Sequence, residues 1–336
     1  MNKILVIQTA SLGDVILATS VAETLHARFP GCKIDMLIRK GYESLFAGHP
    51  FIHTLLLWDK KDKKYAGLLN LIWKVRKTRY DAVINIQRHF SSGLLTGLSG
   101  AAIRSGFAKN PLSFLFTHQA SHLISATEPT EHEIVRNFRL IDFLISPSPA
   151  RPALYPGAGE EAFVKSWKEK KYITIAPASL WFTKQYPFTK WIEFVNELPG
   201  DFFVYLLGAA SDIQICEEII NQAKHTGIIN LAGKLSTLQS AALMKGAIMN
   251  FVNDSAPLHL ASATNSPITA VFCSTVPAFG FGPLSDNSAV VETAEKLTCK
   301  PCGLHGHEAC PEKHFLCAES IKTSQLTVRI KYEQAF

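Results

Sequence analysis

The stretch Ile248–Ala263, IMNFVNDSAPLHLASA, carries residues spaced to bind an anion. An apolar run from Ile248 to Val252 ends in Asn253-Asp254-Ser255, and a helix-forming run begins around Pro257. That order predicts a buried strand, a tight polar turn and a helix start. Asp254 or Ser255 is placed to cap the helix, and Pro257 is tolerated in its first turn. A helix start at the carboxyl end of a buried strand offers unpaired N–H groups and the positive end of the helix dipole, and together these bind phosphate. His259 falls in the first turn, near enough to help hold the same anion. The pattern also suits a plain strand–helix corner with a buried His.

Three further turns carry chemistry. The first, Thr9-Ala10-Ser11-Leu12-Gly13-Asp14, is not G-x-G-x-x-G, which disfavours a dinucleotide and with it a nicotinamide dehydrogenase. Gly13 permits a tight turn. Asp14 opens the next helix, either as its cap or as a general base taking a proton from a sugar hydroxyl. In PASLWFTKQYP (Pro177–Pro187), Ser179 could donate to a phosphate, and Lys184 could neutralise charge developing on a leaving diphosphate. The alternative for Lys184 is a surface lysine. Gln87-Arg88-His89 ends another strand, where Arg88 and His89 could contact a phosphorylated or carboxylated sugar or lie exposed on the rim. Lys60–Lys64 (KKDKK) reads as a solvated charge run that could also attract an acidic lipid face.

These turns need strands and helices to hold them. Lys3–Gln8 is a near-continuous apolar strand of the kind buried in a parallel sheet, and Val15–Phe29 is a helix broken by Pro30-Gly31. Strands at Lys33–Ile38, Thr54–Trp58 and Asp81–Gln87 alternate with helices at Tyr42–Gly48, Tyr65–Lys77 and Ser91–Leu98. Glu131–Leu144 is an amphipathic helix. Ser146–Gly159 is rich in Pro and Gly and marks a linker, after which the alternation restarts from Tyr172. The reading is α/β, with two doubly wound domains, 1–150 and 151–320, and a final helix in 321–336 expected to pack back on the first domain.

The chain has 336 residues, of which 47% are hydrophobic and 18% charged, so a sizeable core is available and disorder is excluded. No apolar run spans a membrane, and MNKILVIQTASLGD reads as a first strand rather than a signal peptide, so a cytoplasmic protein is expected. A net charge of +6 fits an anionic substrate or an anionic membrane face, and lacks the dense basic stripe of a nucleic-acid binder. Seven cysteines, an odd number, disfavour a full disulfide framework. Cys299, Cys302, Cys310 and Cys317 open with a CxxC, but the later spacings match no standard zinc set, so reduced thiols or one disulfide are expected over structural zinc.

MNKILVIQTASLGDVILATSVAETL resembles the amino end of the ADP-heptose:lipopolysaccharide heptosyltransferases, glycosyltransferase family 9. EHEIVRNFRLIDFL resembles that family's His-x-x-x-x-x-Asn-x-x-Leu helix. PASLWFTKQYP resembles its donor loop with Tyr186 for Trp, and GKLSTLQSAALMKGAIMNFVNDSAPLHLASA its D-(S/T)-G-x-x-H segment with Ala256 for Gly. The resemblance implies two Rossmann-like domains facing across a cleft, the GT-B arrangement, and inverting, metal-independent transfer of heptose from an ADP-sugar to a lipid-linked core acceptor. It implies no cofactor, and a place at the inner face of the inner membrane. Asp14 matches the family's base, and Ser179 and Lys184 its residues near the diphosphate. Asp254, Ser255, Ala256, Pro257 and His259 match the turn that holds the ADP-sugar, and Leu235 an adenine contact. Ser11, Gly13, Arg88 and His89 are the candidate acceptor contacts. The Tyr186 and Ala256 departures leave open another nucleotide sugar, or a degenerate protein that binds without turnover.

Overall fold

The computed structural model describes residues 1–60, 64–125, 130–145 and 148–333. Lys61–Lys63 of the charge run, and Ser146-Pro147 of the linker, lie outside these residues. The chain divides into two compact units, one formed by 1–124 with 131–155 and the other by 125–130 with 156–336. The division after Tyr155 lies a few residues past the expected boundary.

The first unit is a six-stranded parallel sheet. In chain order it runs β1 (Lys3–Ile7), α1 (Leu12–Arg28), β2 (Lys33–Arg39), β3 (Ile52–Trp58), α2 (Lys64–Thr78), β4 (Ala82–Asn85), α3 (Phe90–Leu98), β5 (Ile103–Phe107), β6 (His118–Ala120) and α4 (Glu133–Phe138). The strand order is β3-β2-β1-β4-β5-β6, with Ile4 paired to Ile34 on one side and Ala82 on the other. β1 is central, so both its faces are covered, which is why its sequence is apolar without alternation. The sequence reading omits β5 and β6, since Arg104, Ser105 and Gly106 interrupt the apolar run of one and the other is three residues long. The expected helix over Glu131–Leu144 ends at Phe138. Beyond it the amides of Leu140 and Ile141 bond three residues back rather than four, a tighter turn.

The second unit repeats the plan. It runs α5 (Ala158–Val164), β7 (Tyr172–Ala176), α6 (Phe188–Asn196), β8 (Phe203–Leu206), α7 (Ile213–Gln222), β9 (Ile228–Asn230), α8 (Thr237–Lys245), β10 (Asn250–Asn253), α9 (Ala256–Ala263), β11 (Ile268–Val271), β12 (Ser288–Val291), α10 (Leu316–Glu319) and α11 (Ser324–Glu333). Its parallel sheet is ordered β12-β11-β10-β7-β8-β9. Trp191, Phe194, Phe202 and Phe251 are fully buried in its core, and truncating Trp191 to Ala would cost about 3–5 kcal/mol. The final helix, α11, belongs to the second unit, where Leu326 and Ile330 enter the core and the helix lies on α6. An apolar pair four residues apart is drawn to whichever core it can reach. Among the described residues, no helix is long and apolar enough to cross a membrane.

Candidate active site

Each sheet reverses its strand order beside its own first strand, between β1 and β4 in one unit and between β7 and β10 in the other. In open parallel sheets, ligands bind outside the carboxyl ends of the strands at such a reversal. Every candidate donor or acceptor residue read from the sequence except Leu235 lies on a loop or helix start that leaves one of these four strands.

In the second unit, the loop after β7 and the turn after β10 meet. Lys184 Nζ lies 2.6 Å from Asp254 Oδ2, with both side chains largely shielded from water. Thr275 Oγ1 donates to the same carboxylate oxygen at 2.7 Å. The backbone beneath is fixed by Asn253, whose Oδ1 accepts from Tyr186 N at 2.9 Å and whose Nδ2 donates to Pro177 O at 2.8 Å. The lysine is therefore a positioned cation, not a surface side chain. Ser255 occupies the cap position of α9, but its side chain makes no capping bond; its hydroxyl turns back to Asn253 O at 3.4 Å. Ala256 and Pro257 form the first helical positions, and His259 is buried within α9. Ser179 is half-buried, and its carbonyl accepts from Gln185 Nε2 at 2.7 Å. Leu235 is half-buried in the turn before α8.

The cysteine-rich segment braces this loop. His307 N donates to Thr183 Oγ1 at 2.8 Å, Thr183 N donates to His307 O at 3.1 Å, and Cys302 N donates to Ser274 O at 2.9 Å. Gly306 has φ +77°, and a Cβ there would lie 3.0 Å from both Lys184 Cγ and Thr183 Oγ1, so the close approach requires glycine. All seven cysteines are free thiols. Burial first, then neighbouring Cys299 and Cys310, push the Cys302 thiol above its ordinary range, and burial likewise carries Cys317 to about 11. A metal site needs thiolates, and among the described residues no group of three or more His, Cys, Asp or Glu side chains is placed to hold a metal.

In the first unit, Thr9 Oγ1 donates to Gln87 Oε1 at 2.6 Å, tying the carboxyl end of β1 to that of β4. Ser11 caps α1, and Asp14 is the third helical residue. Ser11 N and Oγ both donate to Asp14 Oδ2, at 3.1 and 2.6 Å, and Ser11 Oγ accepts from Asp14 N, which closes a reciprocal capping box. Gly13 is buried inside α1, so the tight turn expected there is instead the first helical turn. Lys60 Nζ donates to Thr9 O at 2.8 Å and stands over the Trp58 ring. Arg88 and His89 are exposed, and Asn110 Nδ2 holds the carbonyls of Gln87 and His89 at 3.1 and 3.0 Å. Partial burial first, then the charges of Lys60 and Arg88, lower the His89 pKa.

The structure thus gathers Ser179, Lys184 and Asp254–His259 around one sheet reversal, and Ser11, Gly13, Asp14, Arg88 and His89 around the other. It leaves Tyr186 out of the site: the ring is fully buried, packs edge-on against Trp191, and its hydroxyl bonds Ile321 O at 3.2 Å. The sequence reading missed Thr183, Thr275 and Asn110. Each is a buried polar residue in a loop that follows a strand, and its partners are distant in sequence.

The profile of glycosyltransferase family 9 (heptosyltransferase) matches residues 68–314. Lipopolysaccharide heptosyltransferase 1 of Campylobacter coli is 25% identical over 316 residues, covering 88% of this chain and 91% of that protein. The structure of E. coli ADP-heptose LPS heptosyltransferase II superposes with a TM-score of 0.76 at 22% identity over 99% of both chains. The family 9 glycosyltransferase of Veillonella parvula does so with 0.85 at 20% identity, over 99% of this chain and 97% of that one. The iron-containing dodecameric glycosyltransferase TibC of enterotoxigenic E. coli is more distant, with a TM-score of 0.61 at 16% identity over 99% of this chain and 76% of its own. Structures at these identities establish a shared two-sheet α/β fold.

Proposed function

The chain belongs to glycosyltransferase family 9, and from that premise we propose that it transfers heptose from ADP-heptose to a sugar of the lipopolysaccharide core, with inversion. The observation that carries the donor assignment is the Lys184–Asp254 pair at the start of α9, whose cap residue Ser255 makes no side-chain capping bond. A diphosphate there meets helix amides and the positive dipole end, and Lys184 offsets the charge released when ADP departs. Leu235 contacts the adenine, Ser179 donates to phosphate, and His259 orders the α9 turn from within.

The acceptor hydroxyl attacks the anomeric carbon from the face opposite the diphosphate. As the new C–O bond forms, the bond to ADP breaks, and positive charge develops on the sugar ring, as in other glycosyl transfers. Asp14 accepts the hydroxyl proton. One of its oxygens is already held by Ser11, which fixes the carboxylate's direction. Arg88, with Ser11 and His89, binds the anionic groups of the acceptor. Catalysis needs no metal in this scheme, because Lys184 and the helix amides supply the positive charge. Full activity after chelation is the expected result. Loss of activity that added metal restores would overturn that part.

Calorimetric titration with ADP, UDP and GDP tests the donor, followed by transfer from the matching sugar nucleotide. ADP is expected to bind tightest. Preference for UDP or GDP would overturn the ADP-heptose assignment while leaving the fold-level reading, and binding without turnover would mark a degenerate enzyme. Ala256, half-exposed at the first position of α9, is the departure from the family motif that keeps the donor test necessary.

A further inference from the structure

Helix α2 presents two unlike faces. Leu68, Leu71, Ile72 and Val75 enter the first unit's core and fix the helix against rolling. On the outer side Leu69 and Trp73, one turn apart, are 66% and 61% exposed. A solvent-facing helix surface is ordinarily polar and mixed in charge. This one sets a large aliphatic and a large aromatic side chain among Lys74, Arg76 and Lys77, and the helix contains no Asp or Glu. Lys77 Nζ stands 4.8 Å from the centre of the Trp73 ring, while Arg76 Nη1 is held by Leu98 O at 3.2 Å.

We infer that this outer face of α2 docks on a lipid bilayer carrying anionic headgroups. Trp sits well at headgroup level, Leu reaches the acyl boundary, and lysines meet lipid phosphates; that set on one helix face is the pattern of an interfacial helix. The all-basic charge complements an acidic surface, and the apolar pair gives it something to insert. The purpose of docking rests on the proposed lipid-linked acceptor. The docking itself is measured apart from transfer.

The test is co-sedimentation of the full chain with vesicles of phosphatidylcholine, with and without phosphatidylglycerol. The protein should bind the anionic vesicles, more weakly at high salt, and largely ignore the neutral ones. Leu69→Ser/Trp73→Ser should lower partition by about tenfold or more, given the burial each side chain loses. Lys74→Glu/Lys77→Glu should lower it by at least roughly twentyfold, since each basic residue near an anionic surface strengthens binding about fivefold. These side chains are exposed, so melting temperatures should hold. Vesicle binding equal to wild type in both variants, or no binding by wild type, overturns the proposal. So does a lipid-free dimer that the variants abolish, which would make the face a contact between copies of this chain. Transfer to a water-soluble, delipidated acceptor should be unchanged in both variants. If wild type docks but fails that transfer with every donor, the transferase reading falls and the docking stands.

Discussion

At the β1/β4 reversal, the following helix is closed. Ser11 and Asp14 satisfy each other's backbone groups and place a carboxylate at the amino end of α1. At the β7/β10 reversal, α9 begins at Ser255, whose side chain makes no capping bond, and the nearby carboxylate, Asp254, is matched to Lys184 and Thr275. The two units share a strand order and differ in charge at the same place. A capped helix start bearing an acid repels a diphosphate and suits proton transfer. An uncapped start with a positioned lysine suits a diphosphate. Topology supplies the position twice, and a few polar residues divide the labour.

The largest test of that division is Asp14→Asn. Turnover should fall by about 10²–10⁴, the usual worth of a general base, while ADP affinity stays within about twofold. Equal loss of binding and turnover would dissolve the distinction between the units. Lys184→Ala should weaken ADP binding as well as slow transfer, by roughly 10²–10³ in kcat/KM. It should also destabilise the second unit by about 3 kcal/mol, because it strands the buried Asp254. Lys184→Ala with Asp254→Asn should recover much of that stability and none of the activity; thermal melts and kinetics on the three proteins decide it.

Acid sharpens the comparison differently. Burial first, and then nearby His26, depress the His49 pKa from 6.5 to about 4, so this ring is neutral in the folded first unit. The unfolded chain binds the proton more readily, so the stability is present above pH 6.5 and is lost as pH falls towards 4. The loss amounts to about 3 kcal/mol. Unit-resolved hydrogen exchange should show this slope in the first unit, and His49→Gln should flatten it. A slope confined to the second unit would refute the assignment. The smallest effect expected is Ser11→Ala, which removes the cap of α1 and should cost about 1 kcal/mol in a melt. Because the hydroxyl also orients Asp14, its kcat should fall while KM for the donor holds.

The sequence was most legible where one residue pattern has one physical solution. Short, mostly apolar runs such as Ile4–Ile7 and Ile248–Val252 read as central parallel strands, and the helix starts after them as sitting at strand ends. The helix starts that carry Asp14 and the Asp254 turn were therefore legible from type and spacing alone. Less was legible where partners lie far apart in the chain. Lys184 and Asp254 are seventy residues apart in sequence, and neither spacing nor propensity says that they pair. The role of the cysteine segment shows the same limit: its spacing gives no sign that its backbone reaches Thr183 as a brace. Tyr186, read as a site departure, is held in the core by Trp191.

By itself, then, the chain determined two α/β units, their helix starts and the chemical types available at each, because hydrophobic periodicity and capping are local. The tertiary structure decided which helix start is closed, which carboxylate is paired, and which face of α2 is left exposed. Those outcomes depend on hydrogen bonds and burial between segments that only folding brings within reach.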